Sequence, residues 1–258
     1  MTGPAEIELG AATLLVTGAA SGIGAALARR FASAGIGAAY LVDVDEPGLA
    51  EVAAHCADAG VRCEHAVVDV RDADALRGAF DAAQALTGTL EFVHNNVGIM
   101  TGFPAFPETP LELMDRVLAV NLRSVLLGVQ FALPRMGPRG GSILNTSSLA
   151  ASITMPADPI YASTKAAVSH FTRCCVPLAR KQGVRINALC PGVVDTAILA
   201  QNEHPQYQPK RSADALAEQG FALLRAEDVA AVAFEMLTDP QLTGELRIVG
   251  NERLDPAP

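Results

Sequence analysis

The sequence predicts an α/β chain: one parallel sheet of seven strands with helices on both faces, in a single domain. Three observations carry this. Short apolar runs alternate with helix-length segments from end to end. The runs are continuously apolar rather than alternating, as strands covered on both faces require. No Pro/Gly/Ser linker and no internal repeat interrupts the 258 residues, and half of them are hydrophobic, enough for one large core.

The elements follow in order. Thr13–Thr17 is a short strand, and a helix runs from Gly22 to about Ala34. Ala38–Val42 reads as a strand and Pro47–Ala59 as a helix, opened by proline in its first turn. Arg62–Val68 and Leu90–Asn95 are strands on either side of a helix near Asp72–Leu86. A long helix covers Leu111–Leu133. Strand Gly141–Thr146, helix Pro159–Gln182 and strand Arg185–Leu189 come next. Helix Ala226–Leu237 and strand Glu245–Val249 close the pattern. The segment Ala197–Gly220 is long and polar. A long connection in a compact domain is usually functional, and this one follows the sixth strand on the carboxyl edge of the sheet. It is expected to be a substrate lid near residues 196–220.

Charge and cysteines narrow the function class. The net charge is −9 without a basic stripe, which argues against nucleic acid and anionic membrane as partners. No uninterrupted apolar stretch reaches the roughly 18–20 residues of a membrane span. Met1–Gly10 lacks a basic segment followed by an apolar run, so no signal peptide is expected. Cys56, Cys63, Cys174, Cys175 and Cys190 form neither a metal-ligand spacing nor an even disulfide framework. They are expected to be reduced packing residues, in a cytoplasmic protein without a metal.

Thr17-Gly18-Ala19-Ala20-Ser21-Gly22-Ile23-Gly24 follows the first strand and opens the first helix. Glycines allow a tight turn and close backbone approach to a pyrophosphate, and the helix N-terminus adds N–H groups and positive potential. Asp43 stands 19 residues beyond Gly24, at the end of the second strand. That suits a carboxylate accepting hydrogen bonds from the adenosine ribose of NAD. Asp45 and Glu46 follow, and no Arg or Lys is near to receive a 2′-phosphate, so NAD is expected over NADP. The plainer reading of such acids, a turn residue or helix cap, fits Asp45 better than Asp43. Asp69-Val70 and Asn95-Asn96-Val97-Gly98 end the third and fourth strands on the same edge.

Tyr161 and Lys165 stand four apart, on one helix face. An ammonium beside a phenol lowers the phenol's pKa from about 10, which would make Tyr161 a proton-transfer catalyst. Ser148 lies thirteen residues before the tyrosine.

Taken in this order and spacing, these motifs resemble the short-chain dehydrogenase/reductase family over nearly the whole chain. Asn121 in Asn121-Leu122-Arg123-Ser124 and Pro191-Gly192-Val193-Val194-Asp195-Thr196 complete the resemblance. It implies a doubly wound, Rossmann-type domain and NAD-dependent interconversion of a secondary alcohol and its ketone. Tyr161 would be the general acid/base. Lys165 would lower its pKa and hold the nicotinamide ribose. Ser148, rather than Ser147, would orient the substrate oxygen. Asn121 would kink its helix and hold a water in a proton relay, although by itself it reads equally as a buried helix asparagine. Gly18, Ser21, Gly22, Ile23 and Gly24 would hold the pyrophosphate, with Asp69 and Val70 at adenine and Asn95, Val97 and Gly98 along the adenosine side. Pro191, Gly192 and Val194 would lie against the nicotinamide and Thr196 near the phosphates, where it could also cap a helix. The family also implies a homotetramer, or a homodimer, built on helices 111–133 and 159–182.

Two departures stand out. Val97 replaces the family's usual alanine, which should narrow the cofactor site. Gly250-Asn251-Glu252 replaces the usual Asp-Gly-Gly, which should alter the edge strand. Local likeness around Ser147–Ala150 and Cys190–Leu199 points to the 15-hydroxyprostaglandin dehydrogenase type. Met100, Phe103, Ile153, Met155, Ile198 and Leu199 are apolar pocket candidates, implying a hydrophobic alcohol or ketone. Asp158, three before the tyrosine, either selects substrate or caps the Tyr161 helix.

Overall fold

The computed structural model describes residues 7–199, 216–218 and 220–253. Most of the expected lid, residues 200–215, lies outside these. Seven parallel strands form one sheet: β1 (Thr13–Thr17), β2 (Ala38–Asp43), β3 (Arg62–Val67), β4 (Phe92–Asn95), β5 (Gly141–Thr146), β6 (Val184–Pro191) and β7 (Leu246–Val249), in spatial order β3-β2-β1-β4-β5-β6-β7. The order reverses at β1, so the carboxyl ends of β1 and β4 open a crevice, the place where such sheets bind ligands.

Alternate residues of each strand face opposite sides, and each side has its own core. Leu14 and Val16 of β1 join Phe92 and Leu144 beneath α1 (Gly22–Ser33), α2 (Glu46–Asp58) and the last helix, α7 (Ala226–Thr238). Leu15 joins Val93 and Ile143 on the other side, beneath α3 (Ala73–Thr87), α5 (Ser124–Ala132) and α6 (Pro159–Arg180). Phe31 anchors the first core against Phe92 and Phe234, with ring centroids 5.3 and 4.7 Å away. Phe80 meets Phe131 edge-on in the second. Each such side chain contributes about 1.5–3 kcal/mol by leaving water.

Helix ends follow local chemistry. Asp45 caps α2 by accepting from Gly48 N, and Asp72 caps α3 by accepting from Asp74 N and Ala75 N. α3 stops at Gly88, whose φ of 91° is left-handed.

The structure departs from expectation in four places. β3 is an edge strand and mostly exposed, so its run is not covered on both faces. Arg62 and Glu64 on it are charges that deter edge-to-edge pairing. The long helix is not continuous: α4 (Leu111–Leu118) passes through a π-helical turn, Ala119–Arg123, before α5. By length and composition the run Leu111–Arg135 is long and apolar enough to cross a membrane, but half of its apolar window is buried inside the fold. Finally, the five cysteines are free thiols, but Cys174 is exposed, beside His170 Nε2 at 3.5 Å, and is not a packing residue.

Candidate active site

A cavity of ≈ 400 Å³ opens at the reversal of strand order. One end is made by the turn after β1. Gly18 and Gly22 have φ of 68° and 54°, which side chains rarely adopt. A Cβ on Gly22 would also lie 2.9 Å from Thr196 Cγ2. Ser21, Gly22 and Ile23 line the cavity where α1 begins. Ser21 makes no side-chain cap and the first turn has no acidic residue, so the helix presents uncapped N–H groups and its positive end.

Asp43 lines the cavity beside this turn. Its Oδ2 accepts from Ala20 N at 3.0 Å, and its Oδ1 from Val44 N and Asp45 N at 2.7 and 3.2 Å. A carboxylate has about four lone-pair positions, so these bonds fix it and leave room for a further donor. A smaller recess of ≈ 100 Å³ shares Gly18, Asp43, Val44, Val97 and Ile99 with the cavity and adds Asp69, Val70, Arg71 and Arg116. Arg71 is bound to Asp69 through Nε and Nη2, and this pairing holds the Asp69 carboxyl below its usual range.

The other end holds the candidate catalytic groups. Tyr161, Ser148 and Lys165 all line the cavity. Asp158 starts α6 and places Tyr161 and Lys165 one turn apart, with Lys165 Nζ 5.7 Å from the Tyr161 ring centroid. Ser148 caps the short turn Leu149–Ala151 by accepting from Ala150 N at 3.1 Å, and its hydroxyl, close enough to the Tyr161 phenol to act on it, donates to Pro191 O at 3.5 Å. Ser147 is committed elsewhere, to Lys165 O and Ser169 Oγ.

Lys165 is 2% exposed and donates to Thr146 O at 2.9 Å. Burial brings its pKa down to about 8. The Tyr161 phenol is pushed up, first by burial and further by the Asp158 charge, while the Ser148 hydroxyl opposes both. This differs from the expectation of a phenol lowered by its lysine: burial pushes the phenol up, and Lys165, itself brought down to about 8, has lost its charge before such a phenol ionises.

Asn121 is fully buried in the π turn. Its Oδ1 accepts from Ile99 N and its Nδ2 donates to Ile99 O, both at 2.8 Å, and Nδ2 also reaches Thr164 Oγ1. The π turn stands where the resemblance implied a kink, and such turns are a recognised cause of helix kinks. The side chain staples the loop after β4 to the helix. Gly98 fits between: a Cβ there would lie 3.1 Å from Lys165 Nζ and 3.6 Å from Asn121 Oδ1.

Pro191, Gly192, Val194, Thr196, Val97 and Gly98 line the cavity as expected, as do Met155 and Ile198. Met100 and Ile153 join them, while Phe103 does not. The Leu199 side chain lies outside the described residues.

Four expected site residues are not at the cavity wall: Asn121, buried in the π turn, and three others. Gly24 is buried in α1, where a Cβ would strike Gly18 O; it permits close packing rather than contact. Asn95 is buried and donates to Asn145 Oδ1, which sits on Thr172 through its Nδ2. Asp158 is 6% exposed, and each of its oxygens accepts a backbone N–H, from Tyr161 at 3.0 Å and Thr101 at 2.8 Å. It acts as the cap of α6, with each oxygen holding one backbone N–H.

Three functional positions went unread in the sequence. Asn96, not Asn95, lines the cavity and donates to Thr17 O and Gly18 O. Thr146 lines it next to Lys165. Asn251, at the altered C-terminal motif, clamps Val193: its Oδ1 accepts from Val193 N and its Nδ2 donates to Val193 O and Ala222 O. The Asn-Asn-Val-Gly run and the Gly-Asn ending were the available signals.

A family model described as short chain dehydrogenase matches residues 12–206. This chain belongs to that family. The short-chain dehydrogenase is 38% identical over 187 residues to the probable oxidoreductase EphD of Mycobacterium tuberculosis, a match covering 72% of this chain and 31% of that protein. It thus spans about a third of that relative's length. It is 38% identical over 192 residues to cis-4-hydroxycyclohexanecarboxylate dehydrogenase of Sinomonas cyclohexanicum, covering 72% of this chain and 74% of that protein. Among solved structures, a short chain dehydrogenase from Mycobacterium paratuberculosis bound to NAD superposes with a TM-score of 0.83 at 26% identity, over 94% of this chain and 97% of that one.

Proposed function

We propose that this short-chain dehydrogenase interconverts a hydrophobic secondary alcohol and its ketone with NAD as the hydride partner. One observation carries the reading: Ser148, Tyr161 and Lys165 meet at one end of a cavity whose other end is the Gly18–Gly22 turn and Asp43. The residues fit the cofactor. The glycine turn and uncapped α1 amides suit a pyrophosphate. The Asp43 carboxylate suits a ribose hydroxyl and repels a 2′-phosphate. Of the two adjoining cations, Arg71 is already paired with Asp69, and Arg116 lies on the Asp69 side of the same recess and lowers that carboxyl too.

NAD supplies the hydride acceptor for alcohol oxidation, and NADH the donor for ketone reduction. The chain's own groups do the rest. Ser148 holds the substrate oxygen beside Tyr161. Tyr161 exchanges the hydroxyl proton with that oxygen. Lys165, tied to Thr146 O, places a cation against Tyr161 and the cofactor's ribose. Met100, Ile153, Met155 and Ile198 form an apolar substrate wall, which excludes water and favours an alicyclic or aliphatic skeleton over a sugar. A lid over this wall from residues 196–220 and assembly as a homotetramer belong to the same proposal. Leu118, Leu126 and Leu178, exposed at 40%, 37% and 54% on the two long helical runs, support the assembly.

The test is NADH formation, followed by its absorbance, with NAD or NADP and a panel of alicyclic, steroid and aliphatic secondary alcohols, using the native chain and Tyr161→Phe. Turnover with NAD should fall by about 10²–10⁴-fold in the variant, the usual worth of a general acid/base, with NAD affinity kept. NAD binding without turnover of any alcohol or ketone would overturn the reading in favour of a dinucleotide-binding regulator.

A further inference from the structure

His94 is a buried histidine that the mechanism above does not use. It lies in β4 between Val16 of β1 and Leu144 of β5, fully buried, on the side of the sheet that carries Phe92. Its Nε2 is 2.8 Å from Thr146 Oγ1, and its Nδ1 has no hydrogen-bond partner among the described residues.

The hydrogen-bond directions around it can be deduced. Asn96 Nδ2 donates to Thr17 O at 3.2 Å and to Gly18 O at 3.1 Å, two carbonyls that can only accept. Asn96 Oδ1 is therefore the end that faces Thr146, and it too can only accept. Thr146 Oγ1 donates to it, at 3.3 Å. A hydroxyl has one hydrogen, so Thr146 has none left for the imidazole. His94 Nε2 must then be the donor. Nδ1 is left unprotonated, which agrees with the lack of an acceptor for it among the described residues.

We propose that His94 is a positioning residue of the dinucleotide site: its Nε2–H orients the Thr146 hydroxyl, which orients the Asn96 amide, which holds the Gly18 turn. The same Thr146 receives Lys165 Nζ on its carbonyl. One buried side chain thus ties the phosphate end of the cavity to the lysine end. Gly18 needs such a hold because its φ of 68° is set in a turn whose far wall is Asn96 itself; a Cβ there would lie 3.0 Å from Asn96 Nδ2. This inference rests on the reading of the cavity as an NAD site.

Two measurements on the full chain separate the inference from that reading. The first is the nitrogen NMR spectrum of histidine-labelled protein, with the His94 signals identified by their loss in His94→Gln. Nε2–H with a bare Nδ1 is expected; Nδ1–H would overturn the proposal whether or not NAD binds. The second is the NAD dissociation constant of the native chain, His94→Leu and His94→Gln, with melting temperatures alongside. Leucine fills the site without a donor, whereas the glutamine amide reaches the Nε2 position and keeps one. His94→Leu should bind NAD about tenfold more weakly, as loss of one buried hydrogen bond implies, with an unchanged or higher melting temperature. His94→Gln should restore binding to within about threefold of native. Native binding in His94→Leu, or equal losses in both variants in step with falling melting temperature, would overturn the proposal. Failure of the native chain to bind NAD would instead refute the cofactor reading, and the spectrum would then decide the His94 bonding by itself.

Discussion

Lys165→Met gives a test of the site's electrostatics that needs neither cofactor nor substrate. In the folded chain Lys165 titrates at about 8, against an ordinary 10.5, because burial disfavours its charged form. At neutral pH the ammonium is therefore held against its own solvation. The difference corresponds to ~3 kcal/mol. Its sign follows from proton counting. Between about 8 and about 10.5 the unfolded chain binds a proton that the folded chain has released, so stability rises with pH through that window. Integrated from about pH 7 to about pH 10, this lysine alone should raise native stability by about 2 kcal/mol relative to the methionine variant. In melting temperature that is about 4–8 °C for a chain of this size. The assay is a pair of thermal or urea melts at both pH values, for the native chain and Lys165→Met. Other titrations cancel in the difference. Loss of the bond from Nζ to Thr146 O offsets the two proteins by a constant and does not change the pH slope. A native-minus-variant difference that stays flat across this range would refute the account of Lys165 as a cation held in place by the fold.

Further outcomes can be checked on the same preparations. Asp158→Asn removes a charge and weakens the cap shared by Tyr161 N and Thr101 N; stability should fall by about 1 kcal/mol, seen in melting, while relative rates across an alcohol panel stay unchanged. Gly24→Ala puts a methyl against Gly18 O and should cost about 1–3 kcal/mol through overpacking, with weaker NAD binding by titration because the turn must shift. Alcohol oxidation should climb as pH rises through the alkaline range, since burial keeps the Tyr161 phenol protonated and oxidation needs it to accept a proton; a rate already at its plateau at neutral pH would count against this.

Strands and helices were legible because their signals are local. Thr13–Thr17 and Gly141–Thr146 have the predicted bounds, since continuous apolar runs flanked by Gly or polar residues leave little choice. The π turn at Ala119–Arg123 was not legible, because it answers to a distant partner: Asn121 must reach both backbone groups of Ile99. The choice between Asn95 and Asn96 failed for a related reason. Neighbouring residues at a strand end face opposite sides, so one asparagine turned inward to Asn145 and the other toward the glycine turn. Which is which depends on the face α5 covers, where a Cβ on Gly128 would strike Asn95. Ser148, Tyr161 and Lys165 were readable as a set through the family resemblance, but the state of the phenol was not, because burial is a property of the assembled fold.

The reversal of strand order at β1 also sets a schedule for synthesis. The chain emerges from its N-terminus, and β1 can pair with β2, and β2 with β3, as soon as the first sixty-odd residues are out. The other edge of β1 must wait for Phe92–Asn95. Until then it offers an unpaired apolar edge, the kind that recruits other chains. A nascent fragment ending near Thr87 therefore leaves that edge of β1 open, and truncations there should fail by association rather than by lack of helices. Every group of the cavity's reactive end arrives later still, with β5, α6 and β6. The nascent chain thus has its glycine turn long before the residues that would act on anything bound there.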